Sequence, residues 1–450
     1  MTHRTHITGG HVVTLDPTIG TIADGDVLIE DGTIIAVGTG LHAIDAEVID
    51  ASGTIVVPGF IDTHRHTWET VLRGMLPDCT LDGYLASVAG SVGPAFGPAD
   101  VFAGTLLGSL EALSAGITTL VDWSHCNNTP QHADAGIAAL RETGTRAMYA
   151  HGTPAHGEWW VGSDHPHPDD ARRVRAEHFS SDADLLTFAI AARGPGVTTP
   201  AVVEHDWRLA RELGARISVH VGMRITGMHI NAVDDLHRAG LMGADTTYVH
   251  ASDSSDAELD LIAATGGTLS IAPYVEMLMG HGHPPVGRSI RSGIAPSLSI
   301  DVATSAPGDM FTQMRTALIQ DRIRSFGDDV DVAFAPTLSH TDVLQMATRN
   351  GAAACGLSDR VGSLTPGKDA DIVMIRSDAL NTMPVIDPVA TVVTSADTSN
   401  VDTVMVRGRI LKRHGQLVDV DLARVRDLAE NARDDVLRRA GLGPTQTTGR

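Results

Sequence analysis

Between residues 58 and 364 the chain repeats one pattern: a short apolar run, then a longer stretch with helical spacing. The apolar runs fall at 59–62, 117–122, 146–150, 186–190, 216–220, 247–250, 268–271 and 297–301. Parallel strands need a crossover of a dozen or more residues, usually a helix, so this alternation confines the segment to an α/β fold with a parallel sheet. Eight strands with crossovers match a (β/α)8 barrel, although a doubly wound open sheet would show the same alternation.

The flanking text is different. From residue 7 to residue 57, short β-like runs such as Val12-Val13-Thr14-Leu15 and Val27-Leu28-Ile29 are separated by turn signals such as Glu30-Asp31-Gly32. After the Pro366-Gly367 turn, strand-like text returns at 371–375, 391–393 and 401–406. A β segment at each end of a barrel suggests that both chain ends pair into one sheet. The expected segments are therefore 1–57 (β), 58–364 (barrel), 365–420 (β) and 421–450, a C-terminal helix. In the last of these Leu422, Val425, Leu428, Ala429, Ala432 and Val436 recur at helical spacing, as in an amphipathic helix docked on the body.

At 450 residues and 42% hydrophobic composition the chain can bury a large core. A formal net charge of -22 argues against nucleic-acid and anionic membrane partners, both of which require basic surface. Cys79, Cys126 and Cys355 are too few and too scattered for a disulfide framework, which fits a reducing cytoplasm. The first residues contain no apolar signal region, and no run approaches the ~18 apolar residues of a membrane helix. A soluble, unprocessed protein is expected.

Several apolar runs end in a residue able to bind metal or move a proton. His64 and His66 close the first, His220 the fifth, His250 the sixth and Asp301 the eighth. Residues i and i+2 of a strand share a face, so His64 and His66 would converge. Catalytic groups of such barrels gather at the carboxyl ends of strands. Three imidazoles and one carboxylate leave a divalent cation with net positive charge and an open position, where water can be acidified near neutral pH. That is a hydrolytic arrangement. Two other histidine pairs lack a strand to fix them. His165-Pro166-His167 reads as a solvated loop, whereas His281, in a Gly/Pro-rich loop after the seventh run, would reach the barrel mouth as a substrate contact. Trp68, Trp123, Trp159 and Trp160 also follow strand-like runs, and flat apolar walls suit a planar ligand. Trp68, Trp123 and His125 are the expected substrate contacts on this side.

Over nearly its whole length the chain resembles the amidohydrolase superfamily, in particular its cytosine-deaminase-like branch with atrazine chlorohydrolase and S-adenosylhomocysteine deaminase. The resemblance is carried by Pro58-Gly59-Phe60-Ile61-Asp62-Thr63-His64-Arg65-His66, Leu72-Arg73-Gly74, Gly116-Ile117-Thr118-Thr119, Ser218-Val219-His220, Tyr248-Val249-His250, Ser299-Ile300-Asp301 and the run from Gly362 to Val373 that contains Pro366-Gly367-Lys368-Asp369-Ala370-Asp371. It implies a distorted (β/α)8 TIM barrel carrying a small β-sandwich built from both chain ends. It also implies one zinc or iron ion on His64, His66, His220 and Asp301, with Asp301 taking a proton from the attacking water and His250 polarising that water or shuttling a proton. Relatives are often dimers or tetramers, so a homo-oligomer is expected. Many members of the wider superfamily bind two metals bridged by a carboxylated lysine. The only lysines here, Lys368 and Lys412, lie beyond the barrel segment, and a mononuclear site follows.

The chain departs from the pattern at one position. Deaminases of this branch carry a glutamate three residues after the third metal histidine to protonate the substrate ring, and here that position is Met223, which cannot transfer a proton. Glu276, just after the seventh run, and Glu69, one turn beyond His66, are the leading replacements, with Glu158 a third. The sequence thus leads to a mononuclear metal-dependent hydrolase that cleaves a C–N bond, in an amide, an amidine or a ring amine, of a small cyclic or heterocyclic substrate. Two alternatives stay open: a deaminase with a relocated acid, and a metal-dependent lyase or decarboxylase on the same scaffold.

Overall fold

The computed structural model describes residues 3–160, 162–226, 232–326 and 336–443. The ends of the outermost expected segments, residues 1–2 and 444–450, lie outside the described residues. The eight repeats form an eight-stranded parallel sheet in sequential order: Phe60–Arg65, Ile117–Ser124, Arg146–His151, Leu186–Ala192, Arg216–Val221, Thr246–His250, Thr268–Ile271 and Ser297–Leu298. This is the barrel rather than the open sheet. First and last strands meet beyond their ladders, where Asp301 N–H donates to His64 O (3.1 Å) and His66 N–H donates to Asp301 O (2.9 Å). Lower down, the Thr63 hydroxyl lies 2.7 Å from that of Ser270 and 2.9 Å from that of Ser297, so small polar side chains satisfy one another inside the barrel.

The chain ends build a second, nine-stranded sheet. Its central junction pairs Thr54–Pro58 antiparallel with Ile372–Arg376, joining the N-terminal half (Arg4–Val13, Thr21–Glu30, Thr33–Gly38, Glu47–Asp50) to the C-terminal half (Val401–Val406, Arg409–Arg413, Gln416–Leu417). The period of two decides what each face does. Ile55, Val57, Val373, Ile375, Val404 and Val406 pack into the main core beneath the barrel helices, whereas Val56, Ile372, Met374 and Met405 join Ile7, Val27 and Ile34 in a separate core on the opposite face.

One electrostatic clamp ties the two sheets together. Arg146, which opens the third barrel strand, is fully buried and donates to Asp371 through Nε and Nη2 (both 3.0 Å) and to Asp369 through Nη2 (2.8 Å). The Lys368-Asp369-Ala370-Asp371 motif therefore has a structural task. Its second aspartate also accepts from Arg407 N–H at 2.8 Å.

Two expectations are corrected. Residues 391–393 are not a strand: Asp387 caps Val389 N–H and Ala390 N–H, Pro388 opens a helical turn, and Thr391–Ser395 continues it as a π-turn. Val392 and Val393 are buried by that turn, so the β-branched run reports burial rather than extension. His165-Pro166-His167 is also not a uniformly solvated loop. His167 is buried with its Nε2 2.9 Å from His151 Nδ1, because the loop folds back over the third strand.

The C-terminal helix, Leu422–Arg439, is capped by Asp421 and lies against the helix Pro98–Ser114, burying Val425, Ala432 and Val436 while Leu422 stays exposed. Among the described residues no helix is long and apolar enough to cross a membrane. Removing the buried clamp tests its weight. Arg146→Met leaves buried Asp371 without its cation and Asp369 with Arg360 alone (3.1 Å), and a loss of about 3–5 kcal/mol in urea-unfolding stability is expected; a loss under about 1 kcal/mol would assign the junction to apolar packing alone.

Candidate active site

The barrel brings His64, His66, His220 and Asp301 to one point. His64 Nε2 lies 3.1 Å from His66 Nε2, 3.1 Å from His220 Nε2 and 3.2 Å from Asp301 Oδ1, and His66 Nε2 lies 3.3 Å from the same carboxylate oxygen. The simple i, i+2 rule accounts for only part of this. The ladder between the first and second strands shifts register between Asp62 and Arg65, which lets Thr63 reach Ser270 and Ser297 while His64 reaches His220 and Asp301. Arg65, between the two histidines, is buried and turned outward, donating to Glu111 (2.5 Å) and to Gly308 O (3.2 Å).

The donor set fits a divalent cation. One ring nitrogen carries a single proton or a single lone pair, so His64 Nε2 cannot satisfy three polar neighbours by hydrogen bonding. His66 Nδ1 lies 2.9 Å from Trp123 O and must hold its proton there, which turns the Nε2 lone pair toward the cluster. Donors about 2.0–2.1 Å from a tetrahedral ion stand roughly 3.3 Å apart, close to the separations found. The electrostatics agree for two of the three imidazoles; at His66 burial is outweighed by the hydrogen bond to Asp301 and the Glu69 and Asp301 charges, which hold the ring above the ordinary histidine value. Burial pushes His64 down to about 3 and holds His220 well below the ordinary histidine value, so both would meet a cation as uncharged donors near neutral pH. Burial alone would raise Asp301, but the hydrogen bonds from His64 and His66 and the nearby His250 keep it well below the usual carboxylate range.

His250 stands across the cluster, its Nε2 3.8 Å from Asp301 Oδ2 and its Nδ1 3.1 Å from Glu276 Oε1. Glu276 Oε1 also accepts from Ala272 N–H at 2.8 Å, which fixes the carboxylate. His250, Ala251 and Asp301 adopt left-handed backbone angles (φ +74°, +51° and +67°). Such conformations cost of order 1–3 kcal/mol each and persist only where the surroundings impose them.

Above this floor lies a cavity of about 320 Å³. His66, His220, His250 and Asp301 form its base, and its walls are mainly apolar: Leu81, Leu85, Met223, Ile225 and Met279, with Trp123 and Trp160. Of the expected substrate contacts, Trp123, His125 and His281 line the cavity. Trp68 does not; it is fully buried against Phe96, with its Nε1 3.4 Å from His125 Nδ1. Trp159 lies against His165 with the rings tilted by 33° and sits beneath the Arg193 guanidinium.

None of the proposed replacement acids lines the cavity. Glu276 is held behind His250. Glu69 is fully buried, its Oε1 accepting the Tyr84 hydroxyl at 2.6 Å and lying 3.8 Å from His125 Nε2, and burial pushes its carboxyl up to about 7. Glu158 is exposed. Two polar residues of the cavity escaped the sequence reading. Arg193 directly follows the fourth barrel strand, so the strand-end rule would have found it had cations been included; it holds the overlying loop through Trp159 O (3.0 Å) and His165 O (2.6 Å). Tyr84 lies on the helix Leu81–Ser87 within the first crossover and carries no local signal of its place.

Comparison with known proteins finds relatives over most of the chain. The amidohydrolase family model matches residues 55–411. A 5'-deoxyadenosine deaminase of Methanothermobacter thermautotrophicus is 30% identical over 422 residues, covering 92% of this chain and 95% of that one. A 5-methylthioadenosine/S-adenosylhomocysteine deaminase of Nitratidesulfovibrio vulgaris is 29% identical, covering 93% and 95%. Among solved structures, an adenosine deaminase from Xanthomonas campestris with bound zinc shares the fold with a TM-score of 0.83 at 24% identity, covering 96% of this chain and 98% of that one. Atrazine chlorohydrolase from Arthrobacter aurescens complexed with zinc does so at 0.80 and 24%, covering 95% and 100%. With its barrel, its sheet built from both termini and a family match spanning most of its length, the chain belongs to the amidohydrolase family.

Proposed function

We propose that this protein is a mononuclear metal-dependent hydrolase that cleaves a C–N bond of a small cyclic or heterocyclic molecule. His64, His66, His220 and Asp301 would hold one zinc or iron ion. The observation that carries the reading is the convergence on His64 Nε2 of His66 Nε2, His220 Nε2 and Asp301 Oδ1 at 3.1–3.2 Å, with His66 Nε2 3.3 Å from the same carboxylate oxygen, at the base of an apolar cavity. When bound, such an ion supplies Lewis acidity, which makes water a competent nucleophile near neutral pH.

The chain's own residues divide the remaining work. The Nδ1–H of His250 donates to Glu276, which leaves Nε2 as the basic nitrogen facing Asp301. Asp301 turns Oδ1 to the histidine cluster and Oδ2 toward His250, so a proton taken from water at the carboxylate has a neighbour to receive it and deliver it to the departing nitrogen. Trp123 and Trp160 present flat walls for a ring, and the cavity of about 320 Å³ suits a small ligand. A deaminase with a relocated acid is the second reading, favoured by Glu69 standing 3.8 Å behind His125. The burial of all three cysteines as free thiols supports a reducing cytoplasm, and a homo-oligomer is part of the same reading.

Metal analysis tests the core of the proposal. The purified protein is expected to carry about one divalent ion per chain and to lose it in His66→Ala and Asp301→Ala; a folded wild-type protein without an ion contradicts the reading. Glu276→Gln is expected to keep the ion while lowering kcat on the order of 10²-fold, because the amide holds His250 less well in the required tautomer. An unchanged kcat removes His250 and Glu276 from the proton path.

A further inference from the structure

Asp301 is the only carboxylate among the described residues that line the cavity. Met223 faces it where deaminases of this branch carry a glutamate, and the two buried carboxyls close by are engaged behind its wall, Glu69 by the Tyr84 hydroxyl and Glu276 by His250 and Ala272 N–H. No side-chain acid therefore stands ready for a substrate ring nitrogen. An uncharged donor does. His281 is 2% exposed, lines the cavity, and has no partner for either ring nitrogen. One of those nitrogens lies within 4.8 Å of both an Asp301 carboxylate oxygen and a His250 ring nitrogen, which places the imidazole beside the reacting atoms. Its backbone is pinned on both sides: His281 N–H donates to Glu276 O (2.9 Å) and His281 O accepts from Arg224 N–H (3.0 Å). The following Gly282 has φ +134°, and a Cβ there would meet the Ser252 backbone at 3.0 Å, so the loop holds a single course.

Building on the hydrolase reading above, we infer that the substrate is an uncharged cyclic amide or imide with an apolar substituent, that His281 donates a hydrogen bond to its carbonyl oxygen, and that the reaction opens the ring. An amino-heterocycle needs its ring nitrogen protonated before the ring carbon accepts water, and the cavity provides no acid for that. A carbonyl carbon is already electrophilic, and the negative charge that develops on its oxygen is stabilised by an N–H donor that gives up no proton. Water adds across the ring C–N bond. A C–O bond forms, the nitrogen leaves with the electron pair of the broken C–N bond, and one proton of the water passes through Asp301 and His250 to that nitrogen. The second proton ionises from the new carboxylic acid, and no oxidant or reductant is consumed. Leu81, Leu85, Ile225 and Met279 surround the remaining space, which favours an aliphatic or aryl substituent over a sugar.

The test gives the metal-containing protein phthalimide, glutarimide, 5-benzylhydantoin, adenosine and cytosine, following ring opening by absorbance and acid release, and ammonia by a coupled assay. At least one imide or hydantoin is expected to open, with no ammonia from adenosine or cytosine. On that substrate His281→Leu is expected to lower kcat by roughly 100-fold with KM within about threefold and ion content unchanged, and His281→Gln, which keeps an N–H donor, to recover about tenfold of the loss. Ammonia from adenosine or cytosine, or full kcat in His281→Leu, overturns the inference. A protein that holds its ion yet opens none of the cyclic amides and imides overturns the inference alone, whereas one that binds no ion overturns the hydrolase reading and the inference with it.

Discussion

The structure depends on the closure between its first and last barrel strands. Asp301 N–H to His64 O and His66 N–H to Asp301 O are backbone hydrogen bonds that join residues more than two hundred positions apart, and the same three residues carry three of the four converging side chains. Closing the barrel and assembling the centre are thus one event. The left-handed backbone of Asp301 belongs to that event: the chain must leave the eighth strand sharply for its carboxylate to turn back over His64.

Everything behind the centre serves to hold it still. Trp123 O fixes the tautomer of His66, Glu276 fixes that of His250, and Ala272 N–H fixes Glu276 in turn. On the far side of the barrel, Arg146 couples the third strand to Asp369 and Asp371, so the sheet made from the two chain ends is anchored to the scaffold that carries the site. Burying that guanidinium is tolerable because two carboxylates meet it with directed hydrogen bonds. The cavity above remains apolar, and the polar groups that reach it are few: the floor, Tyr84, His125, His281 and Arg193.

Much of this was legible in the residues because the relevant signals are local. Eight apolar runs identified eight strands, since β-branched clusters between helical crossovers have few other uses, and the strand-end rule found His64, His66, His220, His250 and Asp301 without any knowledge of their separation. The failures came where burial and conformation part company. The run 391–393 has the composition of a strand, yet Asp387 and Pro388 start a helical turn that buries the same side chains. His167 sits among Pro and Asp residues and is still covered, because its loop is folded back by contacts to His151 and Asp206 that are distant in sequence. Glu69 and Glu276 lie at the right distance along the chain from strand ends, but which side of the cavity wall a carboxyl faces is set by Tyr84 and His250.

By itself, the sequence determined the strand and crossover order, the pairing of its two ends, the residues able to hold a cation and the absence of a barrel lysine to bridge a second one. Each of these follows from local periodicity or from residue identity at a strand end. Only the tertiary structure decided which of the candidate acids are withheld from the cavity, that His281 reaches it with both ring nitrogens unpaired, and that Trp68 supports His125 rather than lining the cavity. Those outcomes depend on packing between crossovers far apart in the chain, and no local pattern encodes which way a side chain turns once its neighbours arrive.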